Sequence, residues 1–297
     1  MSHLQRAAAH DPHAGAVFRK LQTAAREAGA AEGRKITTDE YLVRHALESF
    51  LARLNQTPHG QDFVLKGGIL LAAYGIRRPT KDVDAEAVST DVTSKNLTQV
   101  VKDVATVRAQ DGVVFDTETI TVEEIREDAE YTGLRLRVKV YIATAVQTVA
   151  WDVSTGDPIV PQARMIEVPR VLGSPVKLLG YAPETILAEK GVTILQRGTT
   201  STRWRDYVDI VAVGRAYPLD DEELVRAVKA VAAHRRVALQ RAAPLLVGYG
   251  ALAQRKWEAW RTKAGVSALC EESLDDQLRL VCEIMDPVFE TASNRPA

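Results

Sequence analysis

Two aspartates, Asp82 and Asp84, stand one residue apart in the run Thr80-Lys81-Asp82-Val83-Asp84, and a glycine pair, Gly67-Gly68, precedes them. Side chains alternate along a strand, so both carboxylates would leave one face while Val83 and Ala85 leave the other. Carboxylates held side by side repel, and the arrangement is costly unless a cation lies between them. Mg2+ suits such a pair, because it takes one or two carboxylates and completes its shell with water and substrate phosphate. A Gly-Gly turn opening a short helix is the matching part. Backbone N–H groups there, with no Cβ in the way, can approach phosphate oxygens. Strand, glycine turn, short helix, loop and acidic strand together would hold a nucleoside triphosphate with its metals.

Bridging two metals and activating an attacking hydroxyl calls for a third carboxylate. Asp152 is the candidate, on a strand (Val149 to Ser154) whose Ala150, Asp152 and Ser154 share one face; Glu86 lies on the Asp82 face as a substitute. A second charged group occurs later in the chain: Glu189-Lys190, Arg197, then Thr202 to Ile210 with Arg205, Asp206 and Asp209. Asp206 and Asp209 are surface neighbours on a helix, and Arg205 and Asp209 are spaced to pair. Lys190 falls among Ile186, Leu187, Ile194 and Leu195. A lysine in such surroundings requires an anion, Asp209 at rest or a triphosphate when substrate is bound.

The elements that must position these groups follow from periodicity. A helix is expected over 16–34 and a stronger one over 38–55, with residues 1–15, rich in His and Ala, expected to be loose. A strand (63–65), a Gly-Gly turn, a short helix (69–74), a Gly/Pro loop and a strand (82–88) carry the first group. A helix over 92–110 and strands over 113–125, 133–142 and 146–154 follow. In 133–142, Leu134, Leu136, Val138 and Val140 alternate with Arg135, Arg137 and Lys139, the pattern of a half-buried antiparallel strand. Acidic residues of the preceding strand can pair with these cations. From about 180 the pattern is helical: 183–197, 202–216, 220–247, 251–264 and 272–291.

The expected class is therefore α+β: an N-terminal domain (1–170) with a mixed, partly antiparallel sheet flanked by helices, then an all-α domain (171–297) that completes the site. The chain has 297 residues, enough for two domains at roughly 150 residues each, with 46% hydrophobic and 26% charged residues. That composition excludes disorder as the main state. The 38 Lys and Arg balance 39 Asp and Glu, which argues against a bulk polyanion-coating protein but leaves room for a local basic patch. No apolar run suits a membrane span or a secretory leader, so no membrane partner and a cytoplasmic location are expected. Cys270 and Cys282 have no ligand-like spacing.

The set Lys66-Gly67-Gly68, Arg78-Pro79-Thr80-Lys81-Asp82-Val83-Asp84, the Asp152 strand, Lys190 and Arg205-Asp206-Tyr207-Val208-Asp209 resembles the AbiEii/AbiGii-type nucleotidyltransferase toxins. These include the MenT group and belong to the DNA polymerase β-like superfamily. The resemblance spans roughly 60–215. It implies Asp82, Asp84 and Asp152 as ligands of Mg2+ or Mn2+, and Lys190 and Asp209 as further residues needed for catalysis. It implies nucleotide contacts from Lys66, Gly67, Gly68, Thr80, Lys81, Lys190, Arg197, Arg205 and Asp206. The reaction implied is transfer of a nucleoside monophosphate from an NTP to the 3′ end of tRNA, which blocks translation, with an antitoxin protein as a further partner. Arg77, Arg78, Lys81, Arg226, Lys229, Arg235, Arg236 and Arg241 are candidates for a basic RNA-facing surface. Phosphorylation of Thr80 would set charge against the two aspartates and should inhibit. Two other readings compete: transfer to a protein hydroxyl, and a non-catalytic module that binds RNA or a partner.

Overall fold

Alternation along one strand explains how the sheet is built. In Ala145–Thr155, Val149, Trp151 and Val153 are fully buried while the residues between them point the other way. Trp151 packs edge-on against Phe63, with ring centroids 4.8 Å apart, and against Phe50 at 5.3 Å. Large aromatic rings gain most from such burial, and this one fixes which face of the strand is interior. The opposite face carries Ala150, Asp152 and Ser154.

The structure, a computed structural model, describes residues 2–127, 131–200 and 202–294. In chain order its elements are α1 (His3–His10), α2 (Pro12–Glu32), α3 (Thr38–Leu54), β1 (Phe63–Lys66), α4 (Gly67–Leu70), a 3-10 turn (Leu71–Tyr74), β2 (Asp82–Ala87), α5 (Ser94–Thr106), β3 (Val113–Glu127), β4 (Tyr131–Ile142), β5 (Ala145–Thr155), β6 (Arg164–Val168) and β7 (Val176–Gly180). The helices α6 (Pro183–Arg197), α7 (Trp204–Ala216), α8 (Asp221–His234), α9 (Ala243–Leu246), α10 (Tyr249–Lys263) and α11 (Leu274–Asn294) follow. The class is α+β, with a seven-stranded sheet in the order β3-β4-β5-β2-β1-β7-β6. It is mixed: β2 and β5 run parallel, while β1/β2, β3/β4 and β4/β5 are antiparallel. A parallel neighbour needs a long crossover, and here α5, β3 and β4 intervene between β2 and β5.

Two compact units result. One comprises Met1–Ile69, Thr80–Gly156 and Met165–Leu179; the other comprises Leu70–Pro79, Asp157–Arg164 and Gly180–Ala297. In the first, α3 packs against β5 through Phe50, and Leu42, Ala46, Leu47, Leu51 and Leu54 are buried with it. In the second, α6, α7, α8 and α11 pack on one another. Gly191 has a packing reason within α6: a Cβ there would come 2.5 Å from Met285 Cε and 3.1 Å from Phe289 Cζ of α11.

Three expectations need correction. Residues 1–15 were expected to be loose, but 3–10 and 12–32 are helices, started by Ser2 and Asp11 side chains that accept N–H bonds from Gln5 and His13. Alanine has the highest helix propensity, and Ala8 and Ala14 bury themselves without needing an apolar stripe of large residues. Residues 171–297 are not all helical, since β7 joins the sheet beside β1. The long helix over 220–247 stops at His234. Arg236 adopts φ +52° there, and Pro244 begins a separate short helix, α9.

Candidate active site

The register of β2 and β5 decides the first group. Asp84 lies directly beside Asp152, and Val83 beside Trp151. Because Trp151 and Val83 are wholly interior, Asp82, Asp84 and Asp152 must all leave the opposite face. One oxygen from each lies within 4.8 Å of the other two. Three carboxylates so close are a donor set suited to a hard divalent cation. Thr80 adds a hydroxyl that donates to Asp82 Oδ1 at 3.2 Å.

Gly67 is built against this triad. It has φ +69°, and a Cβ there would sit 1.8 Å from Asp84 Oδ2. Glycine is required twice over, by the left-handed backbone and by the carboxylate that occupies the Cβ position. Lys66 lies opposite Asp84 in the β1/β2 register, and its ammonium bonds Glu86 at 2.9 Å. Glu86, expected as a substitute ligand, is almost wholly buried and also accepts from Ser154 Oγ at 2.7 Å. Both contacts tie it into the sheet. Arg135 of β4 is in register with Asp152. Its Nε donates to Asp152 Oδ1 at 2.7 Å, and its Nη2 donates to Oδ2. The Asp152 hydrogen bonds raise its pKa above the ordinary arginine value against an opposing burial effect, helped by the charges of Asp152, Asp82 and Asp84.

The helical unit holds the second group. Lys190 of α6 bonds Asp206 at 2.8 Å and pairs with Asp209 at 2.9 Å, both on α7. Arg78 grips Asp209 with a fork, Nε to Oδ1 at 2.8 Å and Nη2 to Oδ2 at 3.0 Å. Arg203 Nε donates to Asp206 Oδ2 at 2.8 Å. Burial alone would lower the Lys190 pKa, but the charges of Asp206 and Asp209 outweigh it and raise it. Burial likewise pushes both aspartates up, and Lys190 with Arg203 or Arg78 pulls them below the usual carboxylate range. Arg205 is exposed, so the pairing expected from its spacing to Asp209 gives way to two largely covered cations, Arg78 and Lys190. Arg197 ends α6, and Lys81 is exposed before β2.

The family model for the nucleotidyl transferase AbiEii toxin of type IV toxin–antitoxin systems matches residues 49–278. The chain belongs to the AbiEii nucleotidyltransferase toxin family. It is thus a transferase of the toxin class, and the type IV system implies an antitoxin partner. Among solved structures it is similar to the MenT4 nucleotidyltransferase toxin of Mycobacterium tuberculosis H37Rv, at 20% identity and TM-score 0.49, covering 92% of this chain and 97% of that one. It is also similar to JHP933 from Helicobacter pylori, at 16% identity and TM-score 0.48, covering 84% and 92%. A putative nucleotidyltransferase from H. pylori follows, at 14% identity and TM-score 0.47, covering 87% and 97%. A search of curated proteins gives no match. No helix among the described residues is long and apolar enough to cross a membrane.

Within this AbiEii family chain, Asp82, Asp84 and Asp152 meet on one sheet face, and Lys190, Asp206 and Asp209 meet between two helices. Three charged residues that sequence reasoning left without these roles, Arg135, Arg78 and Arg203, complete the two groups. Arg235, a candidate for a basic surface, is instead mostly buried, donating to Thr193 Oγ1 at 3.0 Å and pairing with Asp157. Of the tryptophans, Trp257 is fully buried and stacks on Trp260 at 5.3 Å, while Trp204 donates to Tyr249 Oη at 2.9 Å. They form a packed cluster.

Proposed function

We propose that the protein transfers a nucleoside monophosphate from an NTP to the 3′ hydroxyl of tRNA, and that Mg2+ or Mn2+ held by Asp82, Asp84 and Asp152 is required. The observation that carries this reading is the convergence of the three carboxylates within 4.8 Å on one sheet face, with Gly67 pressed against Asp84. When bound, the metal would offset charge on the entering and leaving oxygens.

The chain's own residues supply positioning. The Gly67-Gly68 backbone can approach phosphate oxygens where a side chain would intrude. Lys66, Thr80 and Lys81 add further nucleotide contacts, and within the helical unit Lys190 is held in orientation by Asp206 and Asp209. The acceptor oxygen attacks the α-phosphorus, its proton passes to the Asp152 carboxylate, and the bond to the β-phosphate breaks to release pyrophosphate. Because Thr80 bonds Asp82, a phosphate added there would set negative charge against the triad and inhibit. Acceptor choice would depend on exposed cations such as Arg77 and Lys81. An antitoxin of the same system would neutralise the activity.

Incubating the purified chain and Mg2+ with total tRNA and NTPs labelled at the α or the γ position tests the reading. Label from the α position alone should enter RNA, and Asp82→Asn should abolish it. Label in protein, or transfer from the γ position, would overturn the reading.

A further inference from the structure

We propose that Arg135 is the resting counterion of the carboxylate triad, holding Asp152 until a divalent cation displaces it, with Glu123 as the seat it moves to. Arg135 occupies both oxygens of Asp152 with two N–H donors. A guanidinium fork matches a carboxylate in this bidentate way. A divalent cation sharing Asp152 with Asp82 and Asp84 would therefore meet a fixed positive charge on one of its own ligands, and like charges in contact oppose each other. Without the metal, the same guanidinium relieves the repulsion among the three acids.

The sheet register provides the second position. Arg135 is opposite Asp152 on β5 and opposite Glu123 on β3, and directly opposed residues share a face. Arg137 already bonds Glu123 Oε2 through its Nη1 at 2.7 Å, so Arg135 would share this acid with it through the other carboxylate oxygen. The Arg135 side chain is 35% exposed and Glu123 is 60% exposed, so the turn from one acid to the other needs no core rearrangement. Lys66 is less suited to this role, because its ammonium is bonded to the buried Glu86.

The inference rests on the metal-holding part of the proposed function, and its test needs neither nucleotide nor RNA. Free Mn2+ is followed by electron paramagnetic resonance while the full chain is titrated. Arg135→Gln should bind Mn2+ about tenfold more tightly than wild type, the scale on which outer-shell groups alter metal affinity. Its melting temperature without metal should be lower, and its rise at saturating Mn2+ larger, as expected when binding opposes a smaller competitor. Arg135→Lys, which keeps the charge but loses the fork, should fall between the two and serves if the Gln variant does not fold. Glu123→Gln should weaken Mn2+ binding. In an Asp152→Asn background the Arg135→Gln effect should vanish. Unchanged or weaker affinity in Arg135→Gln would overturn the proposal and make Arg135 a support for metal-bound Asp152. Absence of Mn2+ binding in both proteins would overturn it too. Tighter Mn2+ binding without nucleotide transfer would instead sink the proposed function and leave the role of Arg135 standing.

Discussion

The sheet and the helical unit each gather acids and bases, but in opposite proportion. At the sheet, Asp82, Asp84, Asp152 and Glu86 share Lys66 and Arg135. Between α6 and α7, Asp206 and Asp209 meet Lys190, Arg78 and Arg203. The Asp152 side chain is 12% exposed and Arg135 is 35% exposed, whereas Asp206 and Asp209 are 4% and 1% exposed. A partly open, acid-rich group can accept a cation at modest rearrangement. A buried group already supplied with cations gains little from another and loses much when one partner is removed. Charge balance and burial thus separate a group suited to exchange from one suited to holding its neighbours in place.

Asp82→Asn should give the largest effect on activity and almost none on stability. Replacing one carboxylate of the triad removes a ligand and a charge, and nucleotide transfer should fall by at least about 10³-fold. The melting temperature without metal should stay level or rise, because one repelling charge is gone. A large loss of stability would erase the contrast between the groups. Asp209→Asn should behave the other way round, lowering unfolding free energy by about 3 kcal/mol in urea titrations, since Arg78 and Lys190 would be left with a neutral partner in a buried site. If Asp209→Asn left stability untouched and removed only activity, the helical group would have to be reclassified with the triad.

Gly67→Ala sharpens the comparison from the backbone. The new Cβ must displace Asp84 Oδ2, which lies 1.8 Å from its position, while an L residue at φ +69° adds strain of about 1–2 kcal/mol. Mn2+ affinity and transfer should both drop, by about tenfold or more, with the smaller part of the effect in stability. Unchanged Mn2+ binding would show that the triad does not depend on the close approach.

How much of this was legible depended on local periodicity. Val149, Trp151 and Val153 set the face of Asp152 in the sequence alone, and Val83 did the same for Asp82 and Asp84, so the triad followed from two short strands. Arg135 did not follow. Alternation put it on a polar face and pointed to an acid of the preceding strand as its partner; that holds for Arg137, which pairs with β3, but Arg135 pairs with Asp152 on β5. The Arg78–Asp209 fork joins residues far apart in sequence with no pattern relating them. Strands β6 and β7 have five residues each around a Pro- and Gly-containing segment, too short to show a period. Helix α1 buries Ala8, which carries little hydrophobic signal.

A third group asks whether the contrast belongs to the domain or to charge balance and burial. In the sheet unit itself, Asp111 accepts from Arg53 Nη2 at 2.8 Å and Ser49 Oγ at 2.6 Å, and His45 Nε2 donates to the Asp111 carbonyl at 2.8 Å. All four residues are buried. Burial lowers the His45 pKa, against weaker contributions from Asp111 that raise it, and Nδ1 is buried with no hydrogen-bond partner among the described residues. Protonation would add an N–H there with nothing to accept it. Below the unfolded-state value of about 6.5, the unfolded chain takes up a proton that the folded chain refuses, so stability falls as pH drops from there toward the lower folded-state pKa. His45→Gln should cost about 1 kcal/mol at pH 8, where only a hydrogen bond is altered. That gap should narrow between pH 7 and pH 5, because the variant lacks this acid-sensitive limb. Urea titrations across that range measure it, and transfer activity at pH 8 should match wild type. Lost activity with unchanged stability would mean that a charge-balanced, buried group can carry the reaction, and the distinction between the sheet and helical groups would then rest on something other than charge and burial.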